Sequence, residues 1–130
     1  MIRARILLIE DGSTYAKLAT LLLTGLGHTV TRAATAEDGL RVAREETPDL
    51  ILMDITLPGM DGFSAVRTLR QDPRTGHIPT LALTADRISS ADQERKAREA
   101  GFDVYVEKPI NEATFRDLLE PFLGSAQGPR

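Results

Sequence analysis

The stretch that decides the fold is residues 50–63, LILMDITLPGMDGF. Four apolar residues run directly into Asp54, and a proline, two glycines and a second aspartate, Asp61, follow. A continuous apolar run predicts a short strand that is covered on both faces. A carboxylate after such a run is either a turn residue or a charge that the strand brings to the edge of a sheet. Asp61 falls beyond the strand end, and we predict that it caps the next helix.

The same pattern of a short apolar run, a polar junction and a helical stretch occurs five times. The runs are ILLI (6–9), HTVTRA (28–33), LILM (50–53), TLAL (80–83) and DVYV (103–106). Strands that alternate with helices of about ten residues predict a parallel sheet with right-handed crossovers. We therefore predict an α/β fold, a five-stranded doubly wound sheet in the order 2-1-3-4-5. This is a flavodoxin-like three-layer sandwich with the second strand at its edge.

Helix signals separate the runs. The first helix is predicted over residues 14–24, and Thr35, Ser90 and Asn111 each stand at the N-cap position of a later helix. Gly101 follows the fourth helix, as glycine commonly does at a helix end. The domain is predicted to cover residues 1–123. The remaining residues 124–130, GSAQGPR, are expected to form a flexible tail.

Composition limits the classes of function. The chain has 130 residues, a formal net charge of −3 and no cysteine. This length fits one domain, and the lack of cysteine excludes disulfides and thiolate metal sites. The negative charge gives no general attraction for nucleic acid or anionic lipid. The run ILLI near the N-terminus is too short for a signal peptide or a membrane span, so we expect a cytoplasmic protein without nucleic-acid or membrane partners.

Polar residues follow four of the five runs. They are Glu10 and Asp11 after the first, Asp54 after the third, Thr84 after the fourth and Lys108 after the fifth. The second run ends in Ala33-Ala34 and is predicted to contribute no polar group. Ligands of such sheets bind outside the carboxyl ends of the strands. Three carboxylates gathered there repel each other unless one is protonated or a cation joins them. Oxygen ligands without His or Cys indicate a hard cation, and few protein ligands with room for water favour Mg2+ over Ca2+.

In these motifs the chain resembles the receiver domain of bacterial response regulators, from residue 4 to about residue 123. The matching residues are Glu10-Asp11, Asp54, Thr84-Ala85, Tyr105 and Lys108-Pro109, each at the corresponding strand or strand end. Each motif is weak alone, but all of them match in order. The resemblance extends the predicted doubly wound fold to a function in two-component signalling.

The resemblance implies that Asp54 is a phospho-acceptor. It would take a phosphoryl group from a phosphohistidine on a partner histidine kinase or histidine phosphotransfer protein. Glu10, Asp11 and Asp54 would hold Mg2+, with the backbone carbonyl of Thr56 as a further ligand. Lys108 would contact Asp54 and then a phosphoryl oxygen. Such a protein is not a conventional enzyme, although it catalyses its own phosphorylation and the hydrolysis of its acyl phosphate.

The resemblance also implies a switch. Phosphorylation adds roughly one negative charge, which would draw the Thr84 hydroxyl toward the phosphoryl group. The ring of Tyr105 would then enter the space that Thr84 leaves. The altered surface would comprise the fourth helix, the fifth strand and the fifth helix, and a downstream protein or a second copy of the chain would bind there.

Some positions depart from the family pattern or vary within it. Glu10 stands where aspartate is common in the family, and it would bind the ion directly or through water. Gly12 is small and leaves the mouth of the site open. Thr56 and Asp86 occupy the two positions that tune the lifetime of the acyl phosphate in the family. We expect them to set that lifetime here.

A docking patch for the histidine-bearing partner is predicted on the first helix and the loop after Lys108. The first helix has more apolar residues than one buried stripe needs. The resemblance places Tyr15, Leu18, Pro109 and Ile110 in this patch.

Three other functions compete with a stand-alone phospho-acceptor that shuttles phosphate or signals by binding. A protein-interaction module that works without phosphorylation would not need Asp54, Thr84 and Lys108 together. A phosphatase-like hydrolase with an aspartyl nucleophile would want a second aspartate where Thr56 stands. A flavin-binding relative would want a phosphate-binding loop in place of Glu10-Asp11.

Overall fold

All strands of the central sheet run in the same direction, so their carboxyl ends lie side by side along what we call the carboxyl edge of the sheet. A computed structural model of the protein describes residues 3–84, 91–108 and 111–122. The strands are β1 (Arg5–Ile9), β2 (Thr29–Ala33), β3 (Leu50–Asp54), β4 (Thr80–Thr84) and β5 (Val104–Glu107). They are parallel and pair in the order β2-β1-β3-β4-β5. The predicted strand order is therefore confirmed, with β2 at one edge.

Five helices cover the two faces of this sheet. They are α1 (Ser13–Gly25), α2 (Ala36–Glu46), α3 (Gly62–Gln71), α4 (Ala91–Ala100) and α5 (Glu112–Leu119). On one face α1 lies against α5, and on the other α2 contacts α3 and α3 contacts α4. This arrangement confirms the doubly wound α/β prediction. Within the described ranges, no helix is both long and apolar enough to cross a bilayer.

Two apolar clusters explain why the central strands read as continuous apolar runs. Leu7 and Met53 belong to the cluster under α2, α3 and α4, whereas Leu8 and Leu52 belong to the cluster under α1 and α5. Neighbouring residues of one strand point to opposite faces, so a strand covered on both sides needs apolar residues at every position. The edge strand β2 is exposed at most positions and alternates in sequence for that reason.

Side-chain caps fix the starts of three helices and hence the loops before them. The side chains of Thr35, Asp61 and Asn111 accept the backbone N–H of the residue three positions later. These contacts confirm the predicted caps, including the capping role of Asp61. Helix α1 starts one residue earlier than predicted, after Gly12, and has no side-chain cap. The predicted cap Ser90 and the tail 124–130 lie outside the described residues.

An arginine clamp closes the opposite, amino-terminal edge of the sheet. The Arg70 guanidinium donates to the carbonyl oxygens of Gly101, Gly76 and Ile78 at 2.9, 3.1 and 2.7 Å. It also forms an ion pair with Asp103 at 2.9 Å. The clamp joins the end of α3 to the loop before β4 and to the loop before β5.

We expect Arg70→Met to lower the free energy of unfolding by about 2 kcal/mol, because several hydrogen bonds to a charged group are lost together. Urea unfolding followed by circular dichroism measures this change. Arg67→Met removes the same charge from an exposed position of α3 and should change stability by less than about 0.5 kcal/mol. Equal stability of the two variants would contradict a structural role for the clamp.

Candidate functional site at the carboxyl edge of the sheet

Three carboxylates meet at the carboxyl edge. One oxygen from each of Glu10, Asp11 and Asp54 lies within 4.8 Å of the other two. Glu10 and Asp11 follow β1, and Asp54 is the last residue of the neighbouring strand β3. Glu10 is 2% exposed and Asp54 is 6% exposed, whereas Asp11 is open to solvent. The residues that sequence reasoning placed together are thus adjacent in the structure.

Lys108 links two of these carboxylates. Its Nζ donates to Glu10 Oε1 at 2.6 Å and to Asp54 Oδ2 at 3.2 Å. The backbone N–H of Lys108 donates to the Thr84 carbonyl at 2.7 Å, which fixes the end of β5 beside the end of β4. Both ion pairs are largely screened from solvent, so the lysine charge acts at closer to full strength than on the surface.

The second oxygen of Asp54 is held by the loop that follows β3. Asp54 Oδ1 accepts the backbone N–H of Thr56 at 2.8 Å. One oxygen therefore points to the loop and the other to Lys108, which leaves the carboxylate in a single orientation. The Thr56 side chain is exposed. The predicted metal-binding role of the Thr56 carbonyl and its effect on phosphate lifetime stay predictions.

The Glu10 side chain contacts the backbone of the loop that follows it. Its Oε2 accepts the Gly12 N–H at 2.9 Å, while its Oε1 faces Lys108. A Cβ atom at Gly12 would lie 3.0 Å from Glu10 Oε2, so glycine leaves room for the longer acid. Burial raises the pKa of the Glu10 carboxyl above its usual value, although the hydrogen bonds from Lys108 and Gly12 oppose the rise.

Tyr15 forms a wall of the site. Its ring centroid lies 4.3 Å from Lys108 Nζ, a cation–π contact. Its hydroxyl is buried, and it has no hydrogen-bond partner among the described residues. Burial, together with the charges of Glu10 and Asp54, raises the pKa of Tyr15 to about 12. The sequence predicts Tyr15 in a docking patch, whereas its contact with Lys108 depends on the fold and could not be predicted.

Thr84 and Tyr105 lie on adjacent strands. Thr84 ends β4, is 1% exposed and pairs in register with Glu107 of β5. Tyr105 is half-buried and packs against the apolar cluster under α2, α3 and α4. Its hydroxyl is buried without a hydrogen-bond partner in the described part of the chain. Their switching role stays a prediction.

Three predicted site residues, Asp86, Pro109 and Ile110, lie outside the described residues. Of the predicted docking patch, Leu18 on α1 is 44% exposed, and its neighbour Leu21 is 69% exposed. The patch itself stays a prediction.

One prediction about the sheet edge is wrong: β2 does contribute a polar group. Arg32, next to last in β2, donates to the Glu10 carbonyl through Nε at 3.1 Å and through Nη2 at 3.0 Å. Nη2 also reaches the Asp11 carbonyl at 3.2 Å. Arg32 lies inside β2 and not after it, and its long side chain reaches past the end of the strand. An arginine near the end of an edge strand is the signal that was available.

The donor set fits a magnesium ion. All of its atoms are oxygens, the ligands that hard cations prefer. The exposed Asp11 keeps one side of the cluster open to solvent, which suits an ion that retains several waters. Lys108 offsets only part of the charge of the three carboxylates. The residues present therefore suit Mg2+, with Glu10, Asp11 and Asp54 as its candidate holders.

Comparison with known proteins identifies the family of the chain. The family model described as response regulator receiver domain matches residues 6–120. The chain is 39% identical over 120 residues to the protein PilH of Pseudomonas aeruginosa, covering 92% of this chain and 98% of PilH. It is 34% identical to the polar-differentiation response regulator DivK of Brucella ovis, covering 93% of this chain and 97% of DivK.

Solved structures give the same result. A putative response regulator from Chloroflexus aurantiacus has a TM-score of 0.86 at 31% identity, with 92% of this chain and 97% of that one covered. Another similar structure is the receiver domain of the sensor histidine kinase PA1611 from Pseudomonas aeruginosa, which was crystallised with a magnesium ion in its active-site cleft. Its TM-score is 0.85 at 32% identity, with 94% of this chain and 98% of that one covered. The chain therefore belongs to the receiver-domain family of two-component response regulators.

Proposed function

We propose that Asp54 accepts a phosphoryl group from a phosphohistidine of a partner histidine kinase or histidine phosphotransfer protein, in a Mg2+-dependent reaction. The observation that carries this proposal is the place of the Asp54 carboxylate. It is buried at the end of the central strand, 3.2 Å from Lys108 Nζ and beside the carboxylates of Glu10 and Asp11. A lone structural aspartate would not need this convergence of charges.

The transfer needs positioning and charge more than covalent chemistry. A carboxylate oxygen of Asp54 forms the bond to phosphorus while the P–N bond of the phosphohistidine breaks, and the electron pair of that bond leaves with the imidazole nitrogen. The Thr56 N–H holds the orientation of the carboxylate, and Lys108 supplies positive charge beside it. Glu10, Asp11, Asp54 and the backbone carbonyl of Thr56 would hold Mg2+, which would supply further positive charge for the phosphoryl oxygens.

The cation is assigned from the donor set together with a structural neighbour. The PA1611 receiver domain was crystallised with magnesium in its active-site cleft. The oxygen cluster of this chain meets the same preference for hard ligands. Glu10 already accepts one hydrogen bond on each oxygen. We expect it to reach the ion through water more readily than the exposed Asp11 does.

The response to phosphorylation is proposed to run through Thr84 and Tyr105 to the face made by α4, β5 and α5. Thr84 ends the strand next to β3, so its position supports contact with a group on Asp54. Packing holds the Tyr105 ring, and no hydrogen bond among the described residues ties its hydroxyl in place. A downstream protein or a second copy of the chain would recognise the changed face.

The surface of α1 supports a partner site near Asp54. Leu18 and Leu21 expose apolar area on this helix, and the ring of Tyr15 in its first turn contacts Lys108. Docking there, with Pro109 and Ile110, would bring a phosphohistidine toward Asp54. Thr56 and Asp86 are proposed to tune the lifetime of the acyl phosphate that results.

A direct test incubates the protein with Mg2+ and acetyl phosphate and measures intact mass. We expect one added phosphoryl group, which disappears when EDTA removes the metal. Asp54→Asn should abolish the adduct, because the amide is a much weaker nucleophile. Asp61→Asn is the matched control, since asparagine caps a helix as well as aspartate does, and it should behave as the wild type.

An adduct that survives in Asp54→Asn would disprove the assignment of the acceptor. Complete failure to form a Mg2+-dependent adduct would instead favour a receiver fold that acts as an interaction module without phosphorylation.

A further inference from the structure

We propose that Arg32 is a positioning residue for the cation site: its guanidinium holds the Glu10-Asp11 segment so that both carboxylates face Asp54. This inference rests on the proposed function of the site. Arg32 belongs to β2, the strand that sequence reasoning left outside the site. It contacts neither the carboxylates nor Lys108 in the described structure. Its hydrogen bonds go to the backbone that carries the two acids.

The contact is a fork across two successive carbonyl groups. Arg32 Nε and Nη2 donate to the Glu10 oxygen at 3.1 and 3.0 Å, and Nη2 also donates to the Asp11 oxygen at 3.2 Å. In the other direction, the Glu10 N–H donates to the Ala33 carbonyl at 3.0 Å. The segment between β1 and α1 is thus tied to β2 through both donors and acceptors. The main-chain positions from which the Glu10 and Asp11 side chains start are therefore fixed relative to β2.

The contact leaves the carboxylate oxygens available. Lys108 binds directly to Glu10 and Asp54 and must share those oxygens with an incoming cation. Among the described residues Arg32 binds only main-chain oxygens, so it positions the segment that carries the two acids without competing for their carboxylates. Partners behind the ligands of a metal site commonly act in this way, and their loss costs about 10- to 100-fold in metal affinity.

Arg32 acts on the cation site mainly through the geometry of its hydrogen bonds and not through its charge. The Arg32 side chain is exposed overall, so water screens its charge from the acidic cluster. If the Arg32 charge were not screened, it would repel a divalent cation and weaken its binding to the three carboxylates. The planar fork is the feature that lysine cannot reproduce, because its ammonium is a point donor on a flexible stem.

Replacement of Arg32 should leave the fold intact. The side chain borders an open groove of about 340 Å³ that is lined by Ser13, Ala16, Lys17, Thr20, Leu21 and Arg32 itself. Because the groove opens to solvent, a shorter side chain leaves no buried void. Arg32→Lys and Arg32→Gln are therefore suitable variants, the first keeping the charge and the second keeping a polar donor without charge.

The test titrates Mn2+, a hard cation that stands in for Mg2+, and follows the free ion by electron paramagnetic resonance. We expect both Arg32→Lys and Arg32→Gln to weaken Mn2+ binding by about ten-fold. In the acetyl phosphate reaction, the Mg2+ concentration for half-maximal rate should rise by a similar factor. The rate at saturating Mg2+ should change much less, because Asp54 and Lys108 are untouched. A general loss of structure would lower that maximum rate as well.

Arg67→Gln on the exposed face of α3 is the charge-matched control and should bind Mn2+ as the wild type does. Urea unfolding shows whether each variant is folded. If Arg32→Gln is not folded, the Mn2+ affinity of Arg32→Lys alone decides the test. Wild-type affinity in Arg32→Lys would overturn the positioning role and leave the proposed function standing. Absence of both Mn2+ binding and adduct in the wild type would overturn the proposed function and this role together.

Discussion

Lys108→Met is expected to slow phosphorylation of Asp54 by about a hundred-fold. The same substitution should tighten the binding of a divalent cation by about ten-fold. The rate falls because a positive charge 3.2 Å from Asp54 Oδ2 is lost from a largely buried place. It is the charge that would stabilise the phosphoryl oxygens as the new bond forms.

The gain in cation affinity has the same origin. In the structure the Lys108 ammonium occupies Glu10 Oε1 and Asp54 Oδ2, two oxygens of the acidic cluster. An incoming cation must share these oxygens with it and also meets its repulsion. Removal of the lysine leaves three carboxylates with no positive partner among these contacts, which increases their attraction for a divalent ion.

Mn2+ titration and the initial rate of adduct formation measure the two effects on one sample. Lys96→Met, on the exposed side of α4, removes the same charge away from the site and should change neither quantity. A Lys108→Met protein that binds Mn2+ more weakly than the wild type would show that Lys108 organises the cluster and does not compete with the cation.

Gly62→Ala is expected to lower the free energy of unfolding by about 3 kcal/mol and to slow phosphorylation by about ten-fold or more. A Cβ atom at Gly62 would lie 2.6 Å from Ile55 Cα and 3.0 Å from the Asp54 carbonyl oxygen. Both are backbone atoms, which cannot move without moving the end of β3. The backbone of Asp54 and the first turn of α3 therefore touch at this glycine.

The displacement should also disturb the hydrogen bond from the Gly62 N–H to the Ile55 carbonyl, which is 3.1 Å long. Gly25→Ala is the matched control, because no atom lies within 4 Å of a Cβ at that position. It should be as stable as the wild type or slightly more stable, since alanine is the better helix former. Wild-type stability and phosphorylation in Gly62→Ala would contradict the close approach.

The strand order and the clustering of Glu10, Asp11 and Asp54 could be predicted from the sequence because each depends on local chemistry. Apolar runs show that a strand is covered on both faces, and polar residues directly after a run lie at the carboxyl edge. Asp54 and Asp61 illustrate this, since one ends β3 and the other caps α3. Their different roles follow from their distance to the strand end.

Contacts that depend on register and side-chain length were not accessible. Arg32 pairs in register with Leu8, yet its guanidinium reaches forward to the carbonyls of Glu10 and Asp11. The contact of the Tyr15 ring with the Lys108 ammonium joins the first helix to the residue that follows the last strand. No spacing rule along the chain links such residues. The tight contact of Gly62 with the end of β3 likewise depends on how the folded loop between β3 and α3 brings the two together.

The central claim, that the phosphoryl group is carried by Asp54, is tested most directly by chemical mapping. Sodium borohydride reduces an aspartyl phosphate to homoserine, so the modified residue is marked permanently. The protein is treated with acetyl phosphate and Mg2+, reduced, digested and sequenced by tandem mass spectrometry. We predict homoserine at position 54 and at no other aspartate. Homoserine at position 11 or 61, or a phosphoryl adduct that yields no homoserine, would contradict the account.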